Sequence, residues 1–236
     1  MLHAGQAETL DDCQRTRHLF CLRHEKPIAR AELSMIESRW IPRAAVGALA
    51  GLAWAASLRG YMSELGGFAS QVTWMGTFVG VLLPGVLVGA TLGAATAIEP
   101  TGRGRTALRW CAASPLLFAI IPLLFPDAVV VLLTQGLGSG AAGVALAAVA
   151  GGYAVGGRRT WARIALGLLS VLALVGLAWS IPLTGSPRVA IDTARAWWAI
   201  ALVTSLMLLL MIAAATPFRR LQSPLGPNTL SRLEGE

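Results

Sequence analysis

Charge is scarce in this sequence. Only 13% of its 236 residues are charged and 55% are hydrophobic, whereas about a quarter of the residues in a soluble globular domain are charged. The segments 66–98 and 128–157 contain no charged residue, and each is longer than the roughly 20 residues that cross a hydrocarbon core of about 30 Å. The composition therefore excludes an ordinary soluble domain and predicts an all-α integral membrane protein.

Histidine and cysteine are also rare, with three residues of each kind. His3, His18 and His24 all precede the first apolar segment, so no histidine is available as a base or metal ligand inside the membrane. The sequence has no P-loop, no Cys-x-x-Cys pair, no His-Glu-x-x-His motif and no Gly-x-Ser-Gly motif of the rhomboid type. These absences disfavour an enzyme, and the sequence predicts no cofactor.

One spacing near the N-terminus offers metal ligands. Cys13, His18, Cys21 and His24 present two thiolates and two imidazoles to an ion such as zinc. In a zinc finger, however, a close cysteine pair usually precedes a separate histidine pair, whereas these ligands interleave. The spacing is a weak zinc candidate, and a flexible cytoplasmic segment over 1–26 is the favoured interpretation.

Uncharged apolar windows predict six membrane spans. They cover 42–58, 74–98, 110–125, 137–156, 164–181 and 196–215 within a transmembrane domain at 41–218. The fourth window is rich in glycine near its start, so a broken or re-entrant element is an alternative there. An amphipathic surface helix is predicted over 27–40 before the first span. A disordered cytoplasmic tail is predicted over 219–236.

The basic residues predict the orientation of this bundle. With the N-terminus in the cytoplasm, sixteen of the 19 lysines and arginines fall in cytoplasmic segments, and only Arg59, Arg188 and Arg195 fall outside. The asymmetry alternates from loop to loop, as six spans require. Seven of the eight tryptophans fall at predicted interfaces and only Trp54 lies in the middle of a span. Because heavy arginine usage is typical of GC-rich bacteria, we expect a bacterial cytoplasmic membrane protein with both termini in the cytoplasm.

Glycines recur at intervals of four residues within the predicted spans. In lipid no hydrophobic effect drives helix against helix, and such stripes let two backbones approach closely. The stripes predict tight packing within the bundle, and a homodimer through the second span is the alternative. The residues are Gly47 and Gly51; Gly85, Gly89 and Gly93; Gly136 and Gly140; and Gly152 and Gly156.

No ionisable residue lies at mid-depth in a predicted span, so the sequence does not indicate a site in the middle of the membrane. Charged and polar residues collect instead at the predicted outer ends. They predict an outer-face polar site, with interface anchoring and loop salt bridges as the alternative. The residues are Arg59, Tyr61, Glu64, Asp127, Arg188, Asp192 and Arg195.

At Arg59-Gly-Tyr-Met62, Thr73-Trp-Met-Gly-Thr-Phe78 and Leu83-Pro-Gly85, the sequence resembles a poorly characterised group of multi-span membrane proteins from GC-rich bacteria. The resemblance implies that the segment 59–78 matters, and it implies no particular activity. The predicted architecture is also similar to the membrane subunits of ABC-2 type exporters, which place a short surface helix before six spans and keep both termini inside. This second likeness is one of architecture alone.

Together these features favour a transporter or permease-like component. The expected partners are membrane lipid and either a second copy of the chain or an ATP-binding subunit. Nucleic acid is not expected, because the arginines are dispersed among short loops. Two alternatives stay open: a non-catalytic structural or interaction subunit of a membrane complex, and an outer-face enzyme acting on lipid with Glu64, Asp127 or Asp192 as acid or base.

The predicted orientation is tested by reporter fusions. A reporter that is active only in the cytoplasm should be active when fused after Arg105 or Arg159, because these positions fall in basic cytoplasmic loops. The same reporter should be silent after Glu64 or Asp192. The inverse pattern, or activity at all four positions, would contradict the orientation.

Overall fold

The computed structural model describes residues 40–66, 70, 72–124, 137–183 and 189–223. Nearly all of them belong to one structural unit, Pro42–Glu236. They form helices and connecting turns, with no strand in any of these ranges, which confirms the all-α prediction for this part of the chain. The helices are α1 (Trp40–Gly66), α2 (Trp74–Ala95), α3 (Gly102–Ala113, Ser114–Leu116 and Leu117–Leu123 in succession), α4 (Leu137–Gly156), α5 (Thr160–Leu183) and α6 (Ala194–Gln222).

Four of these helices, α1, α2, α5 and α6, are long and apolar enough to cross a membrane. The outward surface has the matching character: on α5, Leu168, Leu172 and Trp179 are 66%, 69% and 65% exposed. In water so wide an apolar face would favour aggregation, whereas in a bilayer it contacts lipid. Length and surface together support a multi-pass membrane protein, as the sequence predicted.

α1 is longer than the first predicted span, which ends at position 58. It continues to Gly66, so Arg59 and Glu64 lie on the helix rather than beyond it. Arg59 has polar partners on the chain that follows the helix. Arg59 Nε donates to Thr77 Oγ1 at 3.3 Å and its Nη1 donates to Ser70 Oγ at 3.0 Å.

α2 changes its winding along its length. Trp74–Leu82 is a π-helix and Leu83–Ala95 is an α-helix. Thr73 caps the start, since its Oγ1 accepts a hydrogen bond from Gly76 N at 3.1 Å. Pro84 lies in the first turn of the α-helical part, where its missing N–H is best tolerated. π-Helical segments are rare and are frequent at functional sites, so the start of α2 is a candidate for function.

α3 differs from the predicted third span at 110–125. It begins at Gly102, so its first turns carry Arg103, Arg105 and Arg109. It then narrows to a 3₁₀ turn at Ser114–Leu116. Pro115 supplies the physical reason, because proline has no N–H to donate to the carbonyl four residues back.

α4 and α6 also refine the predictions. α4 has the bounds predicted for the fourth span and is one continuous helix, so it is not broken within these bounds. α6 begins at Ala194 with Thr193 as its N-cap, two residues before the predicted sixth span at 196–215. Pro217 does not end α6, which continues to Gln222. Residues 219–222, expected in the disordered tail, are therefore helical.

α6 lies at the centre of the bundle. Within its most apolar window 44% of the residues are buried, against 28% in α2 and 11% in α1 and in α5. Val203 and Met207 of α6 are each 1% exposed. The core around them also contains residues of the other five helices: Leu58 and Tyr61, Val88 and Leu92, Phe118, Ala145, and Ile181.

The glycine stripes of α1 and α2 pack against each other within one chain. A Cβ added at Gly51 would lie 2.9 Å from Gly89 Cα, and a Cβ added at Gly89 would lie 2.8 Å from Gly51 Cα. Gly47 meets Gly93 in the same way at 2.9 Å, and Gly85 meets Gly51 O at 2.8 Å. Real Cβ atoms essentially never come within 3.0 Å of such neighbours. This face of α2 is therefore occupied by α1 and is not free to face α2 of a second copy.

A second glycine contact joins α4 to α6. A Cβ at Gly152 would lie 2.8 Å from Ala214 Cβ, and one at Gly156 would lie 2.7 Å from Ala215 O. Gly140, in contrast, has nothing within 4 Å of an added Cβ, and Gly136 lies outside the described residues. Of the two predicted glycine pairs on this segment, the one at 152 and 156 makes the interhelical contact.

A methyl group added at Gly89 should destabilise the protein. The G89A variant forces α1 and α2 apart, and overpacking of this kind costs about 1–3 kcal/mol. The matched control is G60A, since Gly60 lies in α1 with nothing within 4 Å of an added Cβ. There alanine should stabilise by about 0.5–1 kcal/mol through its higher helix propensity. Unfolding in mixed detergent micelles measures both, and equal stability of the two variants would contradict the packing.

Candidate functional site

The predicted outer-face polar site is only partly assembled. Arg59 is half-buried and contacts Thr77 of the π-helical segment and Ser70, neither of which the sequence had assigned to the site. Thr77 is itself only 6% exposed. The result is a small polar junction between α1 and the start of α2. The junction connects Arg59, near the end of α1, to Ser70 and Thr77 in the segment 59–78.

The other predicted residues do not converge on this junction. Tyr61 is 6% exposed and belongs to the apolar core. Glu64, Asp192 and Arg195 are exposed, and no ion pair joins them within the part of the chain that the structure describes. Asp127 and Arg188 lie outside that part. Among the predicted site residues that the structure describes, Arg59 is thus the one with a hydrogen bond to a neighbouring helix.

The weak zinc candidate, Cys13, His18, Cys21 and His24, also lies outside the described residues. Within the described ranges no group of three or more histidine, cysteine, aspartate or glutamate side chains is placed to hold a metal ion.

A groove of about 620 Å³ lies between α1, α2 and α6. It falls within the size range of small-molecule sites. Its walls are the glycine stripes of α1 and α2 together with apolar residues of α6, and Phe118 of α3 also lines it. Ala50, Ala53 and Leu209 line it and are exposed, so it opens at the side of the bundle. Its occupant would enter from the lipid rather than from water.

The polar side chains in the groove are already engaged for the most part. Trp54 Nε1 donates to Leu206 O at 2.7 Å, which links α1 to α6. Ser57 Oγ donates to Ala53 O at 2.9 Å within α1. Thr216 is the third polar residue of the lining. The walls therefore favour an apolar occupant, and Trp54, with its ring 5.2 Å from that of Phe118, fixes one side of the space.

Two arginine side chains share one carbonyl oxygen at the end of α2. Arg43 Nη1 donates to Thr96 O at 3.0 Å, and Arg220 Nη2 donates to the same carbonyl oxygen. Thr96 is the C-cap of α2, where the helix dipole favours positive charge. Gln222 Nε2 donates to Gly156 O at the end of α4. We call this the arginine end of the bundle.

A smaller cavity of about 260 Å³ lies between α4, α5 and α6. It is lined by Gly140, Gly143 and Ser180 among others. Ser180 Oγ donates to Leu177 O, so its hydroxyl is engaged within α5. With less than half the volume of the groove, this cavity is the weaker candidate.

The sequence singled out neither Trp54 nor the pair Arg43 and Arg220 as parts of one site. A signal for each was present. Trp54 was the one tryptophan in the middle of a predicted span, where an indole N–H needs a partner. Arg43 and Arg220 lie four residues from Gly47 and Thr216, which line the groove, and residues four apart share a helix face.

Comparison of the chain with protein-family models, with curated proteins and with solved structures finds no match. The function must therefore be inferred from the residues and their geometry.

Proposed function

We propose that the protein is a transporter or permease-like component of the bacterial cytoplasmic membrane, and that the groove between α1, α2 and α6 receives its substrate. The proposal includes six spans with both termini in the cytoplasm. The observation that carries it is the groove itself: a cavity of about 620 Å³ with apolar walls that opens at the side of the bundle. Such a cavity suits an apolar or amphiphilic substrate taken from the bilayer.

The arrangement of helix ends supports the six-span topology. The start of α1 (Arg43), the end of α2 (Thr96) and the end of α6 (Arg220) meet at one carbonyl oxygen. The end of α4 meets the end of α6 through Gly156 and Gln222. Helices α2, α4 and α6 therefore finish where α1 starts, as an alternating bundle requires. This arginine end fits the cytoplasmic side by the positive-inside rule.

Features of α2 and α3 support movement. The π-helical start of α2 and the 3₁₀ turn at Pro115 each interrupt regular α-helical hydrogen bonding. Interruptions of this kind are common where a helix adjusts during function. Because the sequence contains no P-loop, active transport would draw energy from an ATP-binding partner subunit, in keeping with the likeness to ABC-2 type exporters.

Filling the groove should slow transport. In A53F a phenyl ring occupies space that the substrate needs, and steric crowding of about 1–3 kcal/mol corresponds to a loss of substrate affinity of roughly 5- to 150-fold. The measurement is movement of a fluorescent amphiphile in membrane vesicles from cells that express the gene with its neighbours, with ATP supplied. Vesicles without the chain give the background.

The matched control is A56F, because Ala56 is exposed on α1 but does not line the groove. It should transport as the wild type does. Equal slowing by A53F and A56F would contradict the groove as the substrate site. Wild-type vesicles at background would contradict transport and leave the interaction-subunit alternative.

A further inference from the structure

The two guanidinium groups at the arginine end have spare hydrogen-bonding capacity. Arg43 and Arg220 each donate one hydrogen bond to Thr96 O, and a guanidinium carries five N–H donors. Within the described ranges neither side chain forms an ion pair. Two positive charges beside one neutral oxygen repel each other, and a bound anion would offset that repulsion. Phosphate suits such a pair of guanidinium groups, because its oxygens accept two parallel N–H bonds from each fork, and it is the anionic group of membrane lipids.

These charges lie at the end of the apolar groove. Gly47, Gly93 and Thr216 line the groove at this end. Arg43 precedes Gly47 by one helical turn, Thr96 follows Gly93 by three residues, and Arg220 follows Thr216 by one turn. Since residues three or four apart share a face, the arginine pair continues the same surface. The site as a whole is therefore amphiphilic, apolar along its length and cationic at one end.

The length of the groove fits one leaflet of a bilayer. Its lining runs from Gly47 to Ser57 on α1 and from Leu206 to Thr216 on α6. Ten residue steps at 1.5 Å each give about 15 Å, which is half of a hydrocarbon core of about 30 Å. An acyl chain anchored at the arginine end would thus reach the middle of the membrane.

We propose that the groove binds an anionic phospholipid, with one acyl chain along Gly51, Trp54 and Leu209 and the phosphate held by Arg43 and Arg220. This inference rests on the proposed function, since it names the ligand class of the same groove. An anionic headgroup is favoured over a zwitterionic one, because the arginine end would repel the ammonium of the latter. The exposed Arg219 adds to that positive charge.

The test uses the purified full-length protein and measures lipid binding by native mass spectrometry in a mild detergent. The probes are phosphatidylglycerol, phosphatidylcholine with the same acyl chains, and glycerol 3-phosphate, which keeps the phosphate and lacks acyl chains. The wild type should prefer phosphatidylglycerol over both. Binding of glycerol 3-phosphate as tight as that of phosphatidylglycerol would overturn the proposal, since the apolar groove would then contribute nothing.

The arginine pair is tested by R43Q/R220Q. A basic residue near an anionic lipid contributes about fivefold in binding, so the double variant should bind phosphatidylglycerol about 25-fold more weakly and should lose its preference for phosphatidylglycerol over phosphatidylcholine. R103Q/R109Q is the matched control, because Arg103 and Arg109 are exposed on α3. It should bind as the wild type does. If R43Q/R220Q does not fold, the single variants R43Q and R220Q should each show about a fivefold loss.

The groove is tested by A53F against A56F in the same assay. A53F should bind phosphatidylglycerol and phosphatidylcholine more weakly by the same factor, because it removes space for the acyl chain, and A56F should bind both lipids as the wild type does. Unchanged binding in R43Q/R220Q, or equal losses in R103Q/R109Q, would overturn the headgroup site. Lipid binding as expected in a protein that moves no amphiphile would contradict the proposed function and leave this site standing. Normal transport without a phosphatidylglycerol preference would overturn this site alone.

Discussion

The close approach of α1 and α2 is the constraint on which the rest of the structure depends. Gly47 and Gly51 meet Gly85, Gly89 and Gly93 backbone against backbone, with no room for a Cβ on either side. In lipid such contact supplies the packing energy that the hydrophobic effect supplies in water. The same five glycines line the groove. The missing side chains therefore contribute both to a close interhelical contact and to the lining of the groove.

The ends of the helices are held by side chains whose charge also signals orientation. A helix leaves its last carbonyls without partners, and in this chain long polar side chains supply them. Arg43 and Arg220 donate to Thr96 O, and Arg163 Nε donates to Ala154 O at 2.9 Å. These arginines, which the positive-inside rule relates to topology, thus also cap helix ends: Arg43 and Arg220 cap α2, and Arg163 caps α4. Two of them, Arg43 and Arg220, lie four residues from Gly47 and Thr216, which line the groove.

Local patterns predicted a large part of the fold. Apolar length predicted the helices, the four-residue glycine period predicted close packing, and the bounds of α4 were predicted at 137–156. The departures come from contacts that no local window contains. α1 continues beyond Arg59, whose guanidinium donates hydrogen bonds to Thr77 and Ser70. α6 continues beyond Pro217, and its last turn contacts the ends of α2 and α4 through hydrogen bonds.

The candidate site was less predictable than the fold. The hydrogen bond from Trp54 to Leu206 joins residues 152 positions apart, and no periodicity reports which helix lies opposite another. Polar residues at predicted outer ends suggested one site, whereas Tyr61 packs into the core. Arg43 and Arg220, which the sequence explained by topology, lie four residues from the groove residues Gly47 and Thr216. Charge shows on which side of the membrane a residue lies, and packing decides what it contacts.

The most direct measurement of the central claim is crosslinking between α1 and α2. With Cys13, Cys21 and Cys111 replaced by serine, R43C and T96C are combined and treated in native membranes with a bifunctional thiol reagent about as long as an arginine side chain. Because the Arg43 side chain reaches Thr96 O within one chain, we expect the reagent to link the two cysteines inside single chains. Mass spectrometry of the joined peptides identifies the link. Linked dimers, or no link, would contradict the packing of the two glycine stripes within one molecule.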